Sequence, residues 1–195
     1  MTREPDESSR MRMVAGAADM IRRRGLNATS VRHLAQHANA PLGSVYHYFP
    51  GGKDQLATEA VRWADDLTVT GLREAMRAGP VQGLRVFTDM WRKIVLDSDF
   101  RAGCPVLAVA VEDYPDDDRA QPRDAAAAAF ANWTSLLADA LREHGAPDGD
   151  AVETATLIVA AIEGTVAMCR AQRSIEPLDR VADQLKKHIA HVTAR

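Results

Sequence analysis

Between Thr29 and Lys53 two short helical patterns stand on either side of a tight break, and this pairing constrains the fold more than any other feature of the chain. Thr29 or Ser30 can accept a hydrogen bond from an unpaired amide of an opening helical turn. Val31, Leu34, Ala35 and Ala38 follow at helical spacing, which leaves Arg32, His33 and Gln36 outward. Pro41, with its fixed φ and missing amide, suits the first position of a second helix. From Leu42 to Phe49 that helix makes only two turns, so packing of Val45, Tyr46 and Phe49 must hold it. Gly43 lowers helix stability but lets the backbone approach another surface closely. Pro50, Gly51 and Gly52 stop the second helix, and Lys53 and Asp54 open the next. A short helix presented on a scaffold is what a DNA major groove admits, so the pair reads as a helix-turn-helix.

Charge supports a basic module on an acidic body. Residues 1–56 hold eight Lys and Arg against five Asp and Glu, a net of +3. The remainder holds sixteen against twenty-two, which brings the whole chain to -3. One end is therefore attracted to phosphates, although a chance imbalance on a solvated surface would look the same. A hydrophobic content of 46% over 195 residues is ample for a packed core. Cys104 and Cys169 are too few for a disulfide framework and point to a reducing cytoplasm. The amino terminus is polar, without an apolar signal core. The longest apolar run, Ala155 to Cys169, is interrupted by Glu163 and is too short to span a bilayer. A cytoplasmic protein with no membrane partner is expected.

The remaining pattern is helical throughout. Met1 to Glu7 reads as a polar arm, followed by a helix capped at Ser8 or Ser9 with Met13, Val14, Ala17, Ala18 and Ile21 on one face, ending at Gly25. Arg22, Arg23 and Arg24 suit a helix carboxyl end as well as DNA. A long connector helix runs from Asp54 to Arg77 and closes at Gly79 and Pro80; Leu84, Phe87, Trp91, Ile94 and Val95 mark another. A short apolar segment, Val106 to Val111, precedes an acidic loop, Glu112 to Asp118, which reads as solvated because no metal-loop spacing is present. The next helix, about Arg123 to His144, is expected to pack through Ala127, Phe130, Thr134, Leu137 and Leu141, with Trp133 and Leu136 beside them. The helix from about Asp150 to Arg173 is apolar on most of its circumference and is expected to be covered on both sides. The last, from Pro177, presents Leu178, Val181, Ala182, Leu185, Ile189 and Val192. The expected fold is all-α: an N-terminal three-helix helix-turn-helix domain, residues 1–53, and a larger C-terminal helical domain, residues 54–195, for effector binding and dimerisation. The two terminal helices could form a four-helix homodimer interface or a monomer core.

Thr29, Ser30 and Val31, then Pro41 to Phe49, then Pro50 to Lys53 together resemble the DNA-binding domain of the TetR family of bacterial transcriptional regulators. The resemblance covers roughly residues 8–60. More loosely, Gly103, Cys104 and Pro105, with Glu112 after an apolar run, resemble the LmrA/YxaF-like branch. Pro41 departs from the serine or threonine usual in the family. The resemblance implies that Thr29 and Lys53 hold phosphates, that Tyr46 contacts the DNA backbone, and that Leu42, Gly43, Ser44 and His47 face base edges; Tyr48 fits either role. Phosphate contacts set register while base-edge contacts carry sequence information. It also implies an effector site, for which the candidate lining is Trp63, Phe87, Met90, Trp91, Cys104, Phe130, Trp133 and Met168, residues that would equally make an ordinary helical core.

His33 and His37 stand one helical turn apart, but no further ligand completes a metal site. No nucleophile with a base, no phosphate-cradling glycine loop and no paired metal ligands are recognisable, so neither catalysis nor a cofactor is expected. The expected function is a ligand-responsive, DNA-binding transcriptional regulator, a homodimeric repressor released from a palindromic double-stranded operator by a small-molecule effector. The alternative is a small-molecule binding protein that no longer engages an operator.

Overall fold

The computed structural model describes residues 4–114 and 121–194, with side chains described from residue 9 onward. Among the described residues there are nine helices and no strand: α1 (Glu4–Arg24), α2 (Val31–His37), α3 (Leu42–Tyr48), α4 (Gly52–Met76), α5 (Pro80–Asp97), α6 (Pro105–Ala110), α7 (Gln121–Glu143), α8 (Asp148–Gln172) and α9 (Glu176–Val192). They form two compact units, one of residues 1–65 and 104–129, the other of residues 66–103 and 130–195. The chain passes between the units within α4, again at residues 103 and 104, and within α7. Part of the acidic loop, residues 115–118, lies outside the described residues.

In the first unit α1 starts at Glu4, ahead of the cap expected at Ser8 or Ser9. Pro5 falls in the opening turn, where a missing amide takes no bond from the helix. Met13, Val14, Ala17, Ala18, Met20 and Ile21 are buried. The helix stops at Gly25, whose φ of +80° suits glycine and whose amide still donates to the Ile21 carbonyl at 2.9 Å. Both α2 and α6 pack against α1, and α3 packs against α2. The side chain of Cys104 caps α6, accepting from the Leu107 amide at 3.4 Å.

In the second unit α8 packs against α9, and α5 packs against both. Gly79, with φ +94°, and Pro80 open α5 at the expected break. Arg92 of α5 pairs with Asp179 of α9. The end of α8 is fastened to the turn after α5: Arg173 donates to the Asp99 carboxylate at 2.7 Å and its carbonyl at 3.2 Å, and its guanidinium lies 5.7 Å from the centre of the Phe100 ring. Asp99, Phe100 and Arg173 all have positive φ without being glycine, and these mutual contacts hold them there.

Two faces differ from expectation. The buried face of α7 is Ala125, Ala126, Ala129, Trp133, Leu137, Ala138, Ala140 and Leu141; Ala127 is exposed and Phe130 and Thr134 are half-buried. The alanine run offered two nearly equal faces, and packing took the one that buries Trp133 to 1% exposure. In α8 only one side is covered within the chain. Ala151, Ala155, Ile158, Ile162, Val166 and Cys169 face inward, while Leu157, Ala160, Gly164, Ala167 and Met168 face outward and are exposed. The helix is also longer than the apolar run within it: at 25 residues it is long and apolar enough, by length and composition, to cross a bilayer. Its inner side is filled by packing, as in the core helix of a folded domain.

Candidate DNA-binding face and ligand-domain residues

Local chemistry assembles the helix-turn-helix. Ser30 is the cap of α2, its side-chain oxygen accepting from the His33 amide at 3.2 Å. Asn39 takes φ +51° in the turn, and the Ala40 amide returns to the Ala35 carbonyl at 2.9 Å. Pro41 precedes α3 without a side-chain cap bond. Val45 and Phe49 are buried at 1% and 0% exposure and anchor this seven-residue helix. That leaves Leu42, Gly43, Tyr46 and His47 exposed and Ser44, Tyr48 and Lys53 partly so. Tyr46 is 54% exposed and therefore available to a partner rather than packed in the core. His47 and Tyr48 stack edge to face, with ring centres 5.2 Å apart.

Thr29 is arranged differently from the expectation that it holds a phosphate. It is 2% exposed, and its hydroxyl donates to the Gly25 carbonyl at 2.7 Å. It fastens the turn between α1 and α2, and the neighbouring Ser30 is the exposed hydroxyl at the start of α2.

Behind α3 runs a chain of polar contacts. The Gly51 amide donates to Gln55 Oε1 at 2.9 Å, Gln55 Nε2 donates to Glu59 Oε1 at 3.1 Å, and Glu59 pairs with Arg10 of α1. The Arg10 guanidinium lies 5.3 Å from the centre of the Phe49 ring, a cation–π distance. The residue spacing of Gly51, Gln55 and Glu59 is legible as one face of a helix, but Arg10 as their partner is not. On the other flank Asp19 accepts from Arg22, Arg23 and His37. Burial alone would raise its pKa, but the bonds from Arg23 and Arg22 outweigh it and hold the carboxyl below 3.8. Beside this cluster a cleft of about 330 Å³ is lined by Met20, Arg23, Arg24, His33, Gln36 and His37. Among the described residues no group of three His, Cys, Asp or Glu side chains is arranged to hold a metal.

The expected ligand-lining residues do not all come together. In the first unit Trp63 is half-buried and Cys104 is 5% exposed at the cap of α6. In the second, Phe87 and Trp91 are buried edge to face at 6.4 Å, half-buried Phe130 meets buried Trp133 edge to face at 5.4 Å, and Met90 is half-buried. The Trp91 indole N–H is buried without a hydrogen-bond partner among the described residues. Met168 does not join them: it is 49% exposed on the outward side of α8. A cleft of about 450 Å³ in this unit lies instead between α5 and α9, over Leu84 and Thr88 and rimmed by Arg85, Arg92, Asp183 and Lys186.

Comparison with known proteins agrees with this arrangement. The family described as bacterial regulatory proteins, tetR family, matches residues 13–60, and the LmrA/YxaF-like transcriptional regulator C-terminal domain matches residues 80–184. An uncharacterized HTH-type transcriptional regulator of Mycobacterium tuberculosis is 42% identical over 183 residues, covering 92% of this chain and 93% of its own. The HTH-type transcriptional regulator LmrA of Bacillus subtilis is 28% identical over 173 residues, covering 87% and 90%. Among solved structures, regulatory protein TetR from Rhodobacter sphaeroides superposes with a TM-score of 0.81 at 23% identity, covering 91% of this chain and 97% of that one. The cysteine mutant of the TetR family regulator CifR, solved with a 26-bp operator duplex, superposes with a TM-score of 0.73 at 21% identity, covering 90% and 93%. The chain belongs to the TetR family of transcriptional regulators, in its LmrA/YxaF-like branch.

Proposed function

We propose that this regulator is a homodimeric repressor that binds a palindromic operator through α3 and is released by a small-molecule effector bound in the helical domain. The observation that carries the DNA reading is the exposed row Leu42, Gly43, Tyr46 and His47 on a helix anchored from behind by buried Val45 and Phe49. Leu42, Gly43, Ser44 and His47 face base edges, while Tyr46, Tyr48 and Lys53 meet the backbone. Residues 1–53 act as the DNA-binding domain and residues 54–195 as the effector and dimerisation domain. The outward apolar side of α8 supports pairing with a second copy through α8 and α9, because a face of Leu157, Ala160, Gly164, Ala167 and Met168 allows close helix approach. Two recognition helices about 34–36 Å apart would then read successive half-sites. For the effector, the unpartnered indole of Trp91 supplies a donor beside the Phe87 ring, which suits a largely apolar ligand carrying an acceptor. The protein works in the cytoplasm and performs no catalysis. Fluorescence anisotropy against duplexes flanking its own gene, repeated across salt with an unrelated duplex, tests this. Tight, selective, salt-steep binding supports it; equal weak binding to every duplex favours a small-molecule binding protein without an operator.

A further inference from the structure

The segment after α6 bonds to the entry of the helix-turn-helix. Glu112 Oε1 accepts from the Asn27 amide at 3.1 Å, across 85 residues of sequence. This contact lies in the turn that leads from α1 into α2. The same oxygen stands where a side chain at position 25 would be: a Cβ added to Gly25 would lie 2.7 Å from it. Gly25 is therefore required twice, for its φ of +80° and for the approach of this carboxylate. Two residues on, the Tyr114 hydroxyl donates to the Val109 carbonyl at 3.1 Å, and burial first, then the Glu112 and Asp54 charges, disfavours its ionisation. Asp54 belongs to the first turn of α4, next to Lys53. A carboxylate just beyond the end of α6 gains nothing from that helix, whose last carbonyls carry negative charge. What it does gain is a charge-assisted hydrogen bond to the turn before α2.

The α6 segment is also where the chain returns from the second unit to the first, at residues 103 and 104. We propose that Glu112 is a positioning residue for DNA binding: its carboxylate holds the entry to α2, so that the setting of the helix-turn-helix depends on the placement of α6. This rests on the reading of α3 as the DNA-contacting helix. Its carboxylate is engaged by the Asn27 amide, so it acts through that turn. Glu112 and the helix-turn-helix belong to the same compact unit, where this bond adds to the packing of α6 on α1. Loss of this bond would free that turn and blur the register of α3, lowering operator preference without removing a phosphate contact.

The test uses the full-length protein as wild type, Glu112→Ala, Glu112→Gln and Gly25→Ala. Amide exchange at Asn27 is read by NMR, and anisotropy is read with the operator and an unrelated duplex over a salt series. In Glu112→Ala, Asn27 exchange is expected to rise at least tenfold and the operator preference to fall about tenfold. The salt slope should stay at the wild-type value, since no counterion-releasing contact is lost. Glu112→Gln, which keeps an acceptor, should recover most of the preference, whereas Gly25→Ala, which expels the carboxylate, should behave like Glu112→Ala. Wild-type exchange at Asn27 in Glu112→Ala, or faster exchange with an unchanged preference, overturns the proposal. A wild-type protein without any duplex preference overturns the DNA reading itself, and that result is distinguishable because it needs no variant.

Discussion

Nε2 of His37, at the last residue of α2, lies 2.9 Å from Oδ2 of Asp19 near the carboxyl end of α1. Asp19 also receives Arg22 and Arg23, so one carboxylate ties the carboxyl end of α1 to the helix that supports the recognition helix. Its pKa lies below the ordinary value, so the unfolded chain binds the extra proton. The stability it contributes is present above about pH 4 and is lost as pH falls through the depressed folded value. Asp19→Asn should lower stability at pH 7 by roughly 1 kcal/mol, a figure kept small because solvent screens the cluster. Urea unfolding at pH 7 and pH 3 checks this. The variant should lose less stability than wild type between the two, and equal losses would remove Asp19 from the acid response.

Gly43 separates folding from recognition. A Cβ added there meets nothing within 4 Å, and alanine is favoured over glycine inside a helix by about 0.5–1 kcal/mol. Gly43→Ala should therefore leave the thermal midpoint unchanged or raise it slightly, while weakening operator binding tenfold or more if the backbone of α3 approaches the bases. Lys53→Ala should weaken binding to all duplexes alike and flatten the salt slope by about 1. Operator affinity unaffected by Gly43→Ala would move the base-reading face away from that position.

The outward side of α8 predicts the assembly state. Leu157→Asp and Met168→Asp place charge on exposed positions, 46% and 49% accessible in the single chain, so the isolated fold should tolerate them. Each should shift the sedimenting species from dimer to monomer and reduce operator affinity, because a single half-site remains. A dimer that survives both substitutions would assign the interface to another surface.

Tyr114 offers a spectroscopic handle on the α6 segment. Burial, with Glu112 and Asp54 nearby, pushes its pKa up to about 12. A folded-state pKa raised above 10 means that the stability it contributes is complete below pH 10 and is lost as pH rises through 12. Absorbance at the tyrosinate band should show a late step that Tyr114→Phe deletes. A titration curve identical in the variant would show that the phenol is not shielded.

Much of the architecture was readable because its signals are local. The Ser30 cap, the left-handed Gly25, the Gly79 and Pro80 break and the Pro41 start act within one turn of where they stand, so the helix ends fall within a few residues of expectation. Periodicity was less decisive where two faces of a helix are equally apolar. In α7 the alanines allowed either Ala127 or Ala126 and Ala129 to turn inward, and in α8 nothing in the pattern said which side the chain itself would cover. Met168 was expected inside for that reason and stands outside.

By itself, the sequence determined that the chain is helical, that two short helices held by Val45 and Phe49 stand at a tight break, and that a basic end joins an acidic body, since each follows from residue type and spacing within a few turns; that Tyr46, read as packing with them, is instead 54% exposed came from the structure. Only the tertiary structure decided that Thr29 is turned inward onto Gly25, that Arg10 reaches Glu59, and that Glu112 closes on Asn27. These are contacts between segments that periodicity treats independently. Their partners are selected by which helices pack together, a property of the whole folded chain that no local window contains.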